Sequence, residues 1–172
     1  MIFRLTELEH HPVAFDLTFA PGEIPLGEDL KQSGLLSTSG QAELLRNTEG
    51  EIRLRGHVQV VVDAPCDRCL EPAALSLDTG FDLFFRPAPR VAGYPEMRLG
   101  EGEVDLSFYS GDGVQLEEAL REFILLELPM QHTCRPDCLG ICPQCGENRN
   151  VKPCACPSRP PDDRWAGLRS LE

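Results

Sequence analysis

Eight cysteines carry whatever chemistry this chain has, and their spacing indicates what kind. Six of them fall within 23 residues, as Cys134-Arg-Pro-Asp-Cys138-Leu-Gly-Ile-Cys142-Pro-Gln-Cys145-Gly146 followed by Cys154-Ala-Cys156. The run Cys142-Pro143-Gln144-Cys145-Gly146 has the form of a zinc knuckle. A two-residue gap lets both thiolates reach one ion across a tight turn. The glycine that follows lets the backbone curl so that amides point at sulfur. Zinc takes four ligands in a tetrahedron with Zn–S near 2.3 Å, so a second pair must come from Cys134, Cys138, Cys154 or Cys156. Six thiols exceed one such site: two are spare, or two ions share bridging thiolates, and spacing leaves both open. An all-cysteine set has no open coordination position and suits a structural ion; an iron–sulfur cluster is the competing occupant. A tail this short and rich in proline buries little apolar area, so the metal is expected to determine its fold.

The remaining pair, Cys66-Asp67-Arg68-Cys69, admits three readings. It is a thioredoxin-like dithiol, a motif that belongs at a helix N-terminus where the dipole lowers a thiol pKa. It joins Cys142 and Cys145 in one four-cysteine site that pins the tail to the body. Or it is a turn with two reduced thiols. Arg68 is a candidate contact for phosphate or for a carboxylate partner. His132, two residues before Cys134, is a candidate substitute ligand, while His10, His11 and His57 show no ligand pairing. The chain has no phosphate loop, nucleophile elbow or His-Glu-x-x-His motif. No pair of acids stands out as a catalytic couple, so the expectation is a protein that is not an enzyme.

The elements that position these residues are mostly strands. Ile52, Leu54, Val58, Val60 and Val62 occupy alternate positions with polar residues between them, and Leu75, Leu77, Phe81, Leu83 and Phe85 repeat the pattern. The two runs predict a long antiparallel hairpin whose connecting end carries Cys66 and Cys69. Phe15, Leu17 and Phe19 predict a further short strand, as do Val104, Leu106 and Phe108, and Ala42 with Leu44 suggest one more. Residues 20–40 and 85–102, with their scattered Gly and Pro, read as irregular. After Gly111-Asp112-Gly113, residues Leu116, Ala119, Leu120, Phe123 and Ile124 make one apolar helical face. Glu117 and Glu118 sit in the first turn, where the helix dipole favours anions, and Pro129 stands just past the end. The helix near 116–128 is expected to pack on one face of the sheet. The fold class is therefore α+β: a β-rich body, as a twisted antiparallel sheet or partly open barrel with one main helix, plus a small Cys-rich zinc-binding C-terminal segment.

Charge divides the chain at the same place. The 172 residues carry a formal net charge of −12, but residues 1–130 account for −13 and residues 131–172 for +1. A body in which Asp and Glu far outnumber Lys and Arg carries the wrong sign for phosphate, which all but excludes a non-specific nucleic-acid binder. The two units are thus an acidic body, 1–130, and a metal-binding tail, 131–172. The longest apolar runs, Val58 to Val62 and Phe123 to Leu126, fall far short of the roughly 20 residues that span a bilayer. The opening residues Met1 to Glu7 have neither a basic region nor an uninterrupted apolar one, so no signal peptide is read and a cytoplasmic protein is expected. In a reducing compartment, clustered cysteines are metal ligands or redox groups more often than disulfides.

Three features together resemble the YceD family, the bacterial large ribosomal RNA subunit accumulation proteins. The first is the element Val62-Asp-Ala-Pro-Cys66-Asp-Arg-Cys69-Leu-Glu71; the second is the helix that ends in Leu128-Pro129. The third and most specific is the run from Cys134 through Asn148-Arg149-Asn150 to Cys156. The ending Asp163 to Leu168 looks like the family's short Leu-containing helix. The family often has Lys where Leu139 stands and Leu where Arg149 stands; neither position is a ligand, so the departures bear on partner contacts. The resemblance implies a role in 23S ribosomal RNA accumulation or processing and in large-subunit assembly. Taken with the charge of the body, the expected partner is a large-subunit ribosomal protein or the 23S precursor, and neither a membrane nor a small-molecule substrate is expected. An acidic body suits a basic protein. The alternatives are an RNA-binding module that uses Arg68, Arg135, Arg149 and Lys152 with Arg159, Arg164 and Arg169, and a Cys66/Cys69 thiol oxidoreductase. The expected cofactor is structural Zn²⁺, as one or two ions.

Overall fold

The computed structural model describes residues 1–88 and 106–157. The expectations at Val104, through most of 85–102, and on the closing helix with Arg159, Arg164 and Arg169 lie outside the described residues. The elements run β1 (Ile2–Arg4), α1 (Leu5–Leu8), β2 (Val13–Phe19), β3 (Lys31–Gln32), β4 (Leu36–Leu44), β5 (Ile52–Pro65), β6 (Pro72–Pro87), β7 (Leu106–Tyr109), β8 (Gly113–Gln115) and α2 (Leu116–Glu127). The main sheet has the order β2-β4-β5-β6-β7, and β3 pairs with the far end of β5. β1 and β8 form a separate antiparallel pair.

The long hairpin forms as its alternation predicts. β5 and β6 pair antiparallel from Ile52↔Phe85 to Pro65↔Pro72. Ile52, Leu54, Val58 and Val62 are fully buried and Val60 nearly so. The neighbouring residues face out. There Arg53 holds Asp82 through two charge-assisted hydrogen bonds of 2.7 and 2.6 Å and stacks over Phe84, while exposed His57 lies 3.0 Å from Asp78. α2 lays Leu116, Ala119, Leu120 and Ile124 into the core, with Phe123 against Phe81 at a ring separation of 5.6 Å. The burial of each large aliphatic side chain stabilises the body by about 1.5–3 kcal/mol. Among the described residues no helix is long and apolar enough to cross a membrane.

Three features depart from the expectation. First, Leu36–Leu44 is a nine-residue strand set between β2 and β5, where the sequence reads as irregular up to residue 40. Ser37, Thr38, Ser39, Gly40 and Gln41 hide it, because they carry no apolar alternation. Thr38 is nonetheless buried, with its hydroxyl donating to the His57 carbonyl at 3.0 Å. Gly40 and Gly56 face each other across the strands, and the rings of Phe15 and Phe81 rest on them. Second, β7 runs parallel to β6, so the sheet is not wholly antiparallel. Third, a short strand that the sequence does not announce, β8, opens at Gly113, where a Cβ would collide with the Phe3 backbone across the pair.

Candidate metal centres

The connecting end of the hairpin is a six-residue turn, Cys66 to Glu71, between β5 and β6. The Cys66 N–H donates to the Glu71 carbonyl and the Leu70 N–H to the Cys66 carbonyl, at 2.9 and 2.8 Å. The tail repeats this turn. The Cys142 N–H donates to the Glu147 carbonyl and the Gly146 N–H to the Cys142 carbonyl, both at 2.9 Å. In each turn the residue after the second cysteine takes a left-handed backbone, Leu70 at φ 63° and Gly146 at φ 74°. The chain therefore contains one knuckle geometry twice, 76 residues apart. The sequence shows only the second, because glycine marks it and leucine conceals the first.

Each knuckle recruits a second pair of thiols. Cys66 and Cys69 meet Cys134 and Cys138; Cys142 and Cys145 meet Cys154 and Cys156. Within each group all four sulfurs lie within 4.8 Å of one another. None of the six tail cysteines is surplus, and the two groups share no thiol. The pairing of Cys66 and Cys69 with Cys142 and Cys145 is corrected: their partners are Cys134 and Cys138. The reason is that Cys134 and Cys138 precede the tail knuckle and lie directly on the hairpin turn. The Asp67 N–H donates to the His132 carbonyl at 2.8 Å, and the His132 N–H to the Asp67 carboxylate at 2.6 Å. The Ile141 N–H donates to the Arg68 carbonyl at 2.9 Å, and the backbone of Gly140 packs against that same carbonyl. The His132 ring belongs to neither group. No helix follows Cys69, so the setting that activates a thioredoxin-like dithiol is missing at this turn.

The donor sets fit a tetrahedral thiophilic cation. Four sulfurs at about 2.3 Å from a central ion stand about 3.8 Å apart. Cys66 and Cys138 are 3.9 Å apart, Cys69 and Cys134 3.6 Å. The electrostatics agree. The Cys134 amide hydrogen-bonds the Cys66 sulfur and, with the amides of Arg68 and Cys69, holds that thiol down to about 6 although burial opposes it. The amides of Cys145 and Gln144 hold Cys142 at about 6 in the same way. Opposite them, loss of hydration and the neighbouring thiols push Cys134 up to about 12, and the Cys145 thiol followed by burial does the same to Cys156. Four thiolates repel one another in so small a volume; a dication removes that obstacle and displaces the remaining protons. The first group is the deeper: Cys66, Cys69 and Cys138 are buried beside Ala73, whereas Cys145 is exposed.

The matched turns give a test of backbone strain. Nothing lies within 4 Å of a Cβ built on Gly146, so Gly146→Ala adds only the left-handed penalty of about 1–2 kcal/mol. It is expected to weaken metal retention at the second group roughly tenfold in a chelator competition. Leu70→Gly, at the matching position, is expected to shift retention at the first group the other way.

The four candidate partner-contact residues divide. The Arg68 guanidinium donates to the Cys138 carbonyl at 3.1 Å, and Arg135 to the Asn150 side chain at 2.8 Å. Both fasten the tail to itself or to the hairpin. Arg149 and Lys152 are exposed, flanking exposed Val151, and neither side chain has a hydrogen bond or ion pair among the described residues. Sequence reasoning missed Asp67, Asn148 and Asn150 as site residues. Asn148 donates to Glu71 of the hairpin at 3.4 Å, and Asn150 donates to the Cys138 sulfur at 3.3 Å.

Comparison with known proteins agrees with these residues. Residues 54–172 match the family model described as large ribosomal RNA subunit accumulation protein YceD. The maize chloroplast protein named large ribosomal RNA subunit accumulation protein YCED homolog 1 is 28% identical over 134 residues, covering 64% of this chain and 45% of the relative. The Arabidopsis thaliana protein of the same name is 23% identical over 150 residues, 70% of this chain and 44% of its own length. An uncharacterized protein of Mycobacterium tuberculosis is 27% identical over 169 residues, 97% of this chain and 72% of its own. The chain thus spans less than half the length of the two plant relatives. No solved structure matches it. The family match covers the hairpin turn, α2 and both thiol groups, and the chain belongs to the YceD family of large ribosomal RNA subunit accumulation proteins.

Proposed function

We propose that this chain is a non-enzymatic factor for accumulation of the 23S ribosomal RNA, acting in large-subunit assembly by holding a basic ribosomal protein on its acidic body. In this reading each thiol group holds a structural Zn²⁺, and the first ion fixes the tail, from about residue 131, to the body. The observation that carries it is the pair of separate four-thiol groups, one of which joins the hairpin of a strongly acidic body to the tail. A dication bound by four thiolates has net charge −2, so two of them take the molecule from −12 to about −16. That favours a basic protein partner over direct contact with RNA, because charge complementarity steers and orients encounter. Arg149 and Lys152 favour the second reading, a local RNA contact on the tail. The compartment proposed for this role is the cytoplasm.

Three measurements test the proposal. Elemental mass spectrometry of protein kept reduced throughout is expected to give two zincs per chain; iron, or no metal, would defeat the zinc assignment. Affinity capture from lysate is expected to retain large-subunit ribosomal components at low salt and to release them as salt rises. Capture of none at low salt would defeat the assembly role. If charge-neutral substitutions at Arg149 and Lys152 abolish binding of a 23S fragment, the RNA reading takes its place.

A further inference from the structure

One side chain from the loop of the second centre reaches a ligand of the first. Asn150 lies in residues 146–153, the loop that links the second cysteine of the tail knuckle to Cys154. Its side chain does not serve the group that its own loop closes. The amide nitrogen donates to the Cys138 sulfur, a member of the first group, at 3.3 Å. The amide oxygen accepts from the Leu139 N–H and from the Arg135 guanidinium, both at 2.8 Å. Leu139 follows Cys138, and Arg135 follows Cys134. One half-buried amide thus holds both tail ligands of the first centre in place. Asn148 braces it in turn, accepting from the Asn150 N–H and amide nitrogen at 3.0 Å. The loop is further fixed by the Arg149 N–H on the Gly140 carbonyl at 2.9 Å.

We propose that Asn150 is a positioning residue through which the two metal centres load cooperatively: an ion on Cys142, Cys145, Cys154 and Cys156 fixes the loop that presents the amide to Cys138, and so tightens metal binding by Cys66, Cys69, Cys134 and Cys138. The inference rests on the zinc reading above. Residues that hydrogen-bond a metal ligand orient it and tune its donor strength; losing one typically costs 10–100-fold in metal affinity. Two ends of an eight-residue loop tied to one ion leave that loop far fewer conformations than a free tail has. The effect runs both ways, because a coupling free energy between two sites is reciprocal: the first ion tightens the second to the same degree. The chemistry also explains why asparagine stands here. The position needs a donor toward a thiolate and an acceptor toward two donors in one planar group. Aspartate of equal shape has only the acceptors and faces the thiolate with a second negative charge.

The test uses the full-length chain with Co²⁺ as probe, since thiolate-to-cobalt absorption reports tetrahedral sulfur ligation directly, together with zinc competition against a chelator. Asn150→Asp is expected to lower affinity at the first centre 10–100-fold. Cys66, Cys69, Cys134 and Cys138 should become reactive to alkylation before the other four thiols. Cys154→Ser with Cys156→Ser, which disables the second centre, is expected to weaken the first centre in the wild-type background but to add no further loss beside Asn150→Asp. Wild-type affinity at the first centre in either variant would overturn the coupling. A wild-type chain that takes up no metal would instead overturn the two-centre reading on which the coupling rests.

Discussion

Replacing Cys66 and Cys69 together by serine is expected to halve the metal content and free the tail from the body. These two thiols are half of the first centre, and serine hydroxyls do not replace thiolates for a soft-ligand tetrahedral ion. The direct contacts between turn and tail are few: the Asp67–His132 exchange, the Arg68 contacts with Ile141 and Cys138, and the Glu71–Asn148 hydrogen bond. Net contributions of about 0.5–1.5 kcal/mol for each hydrogen bond fall well below the ~10–16 kcal/mol that structural zinc supplies to small peptides. Limited proteolysis should then cut the chain after α2 many times faster than in wild type, while elemental analysis reads one ion instead of two. The body should keep its far-ultraviolet dichroism, since its core, which runs from Phe3 in β1 and Leu8 in α1 through the main sheet to Ile124 in α2, contains none of the eight cysteines. Two retained ions with an unchanged proteolysis pattern would refute the grouping of Cys66 and Cys69 with Cys134 and Cys138.

Gly56→Val is expected to unfold the body outright or to lower its stability by at least the roughly 1–3 kcal/mol that core overpacking typically costs, because here the added atoms meet backbone. A Cβ on Gly56 would collide with the Ser39 carbonyl, stand 2.8 Å from the Phe81 ring and lie 3.0 Å from the Gly40 Cα. A Cβ on Gly40 would meet the Arg55 carbonyl in the same way and lie 2.7 Å from the Gly56 Cα. Backbone on one side and a buried ring on the other leave no flexible group to move aside. Gly80 is a useful control on the adjoining strand, because its nearest neighbour is 3.5 Å away and Gly80→Ala meets ordinary contact only. Chemical denaturation should separate the two variants clearly; a Gly56→Val midpoint close to that of Gly80→Ala would contradict the packing described.

The parts of the fold that were legible in the sequence share a cause. Along Ile52 to Val62 and Leu75 to Phe85 one side chain in two is apolar, because one sheet face is wet and the other is covered by α2 and its neighbours. β4 was legible only at its end, where Ala42 and Leu44 alternate, because its earlier inward positions after Leu36 are filled by Thr38 and Gly40. A buried threonine satisfied by the His57 carbonyl, and a glycine under a phenylalanine ring, contribute no hydrophobic signal. The cysteines were legible as metal ligands in kind but not in grouping. Spacing identifies Cys142-x-x-Cys145 as a half-site and leaves Cys66-x-x-Cys69 open between metal, redox and a plain turn, and nothing local says which further pair completes either. That choice is made by backbone contacts at Asp67, Arg68 and Gly140, which depend on where α2 leaves the chain. Asn148 and Asn150 stood in plain view of the family resemblance, but their roles require the geometry of both centres at once.

The first centre also orders events during synthesis. Cys69 and Cys134, 3.6 Å apart at the finished site, are separated by 65 residues of chain. At about 5–20 residues per second, the hairpin thiols leave the translating ribosome roughly 3–13 s before their partners exist. The nascent body therefore passes through an interval in which a half-complete dithiol waits at the tip of a formed hairpin. The second centre, enclosed within Cys142 to Cys156, has its ligands translated in about a second or two. Closure of the hairpin site therefore waits until Cys138 has been translated, and a chain that stops between the end of α2 and Cys138 carries a body without that fastening.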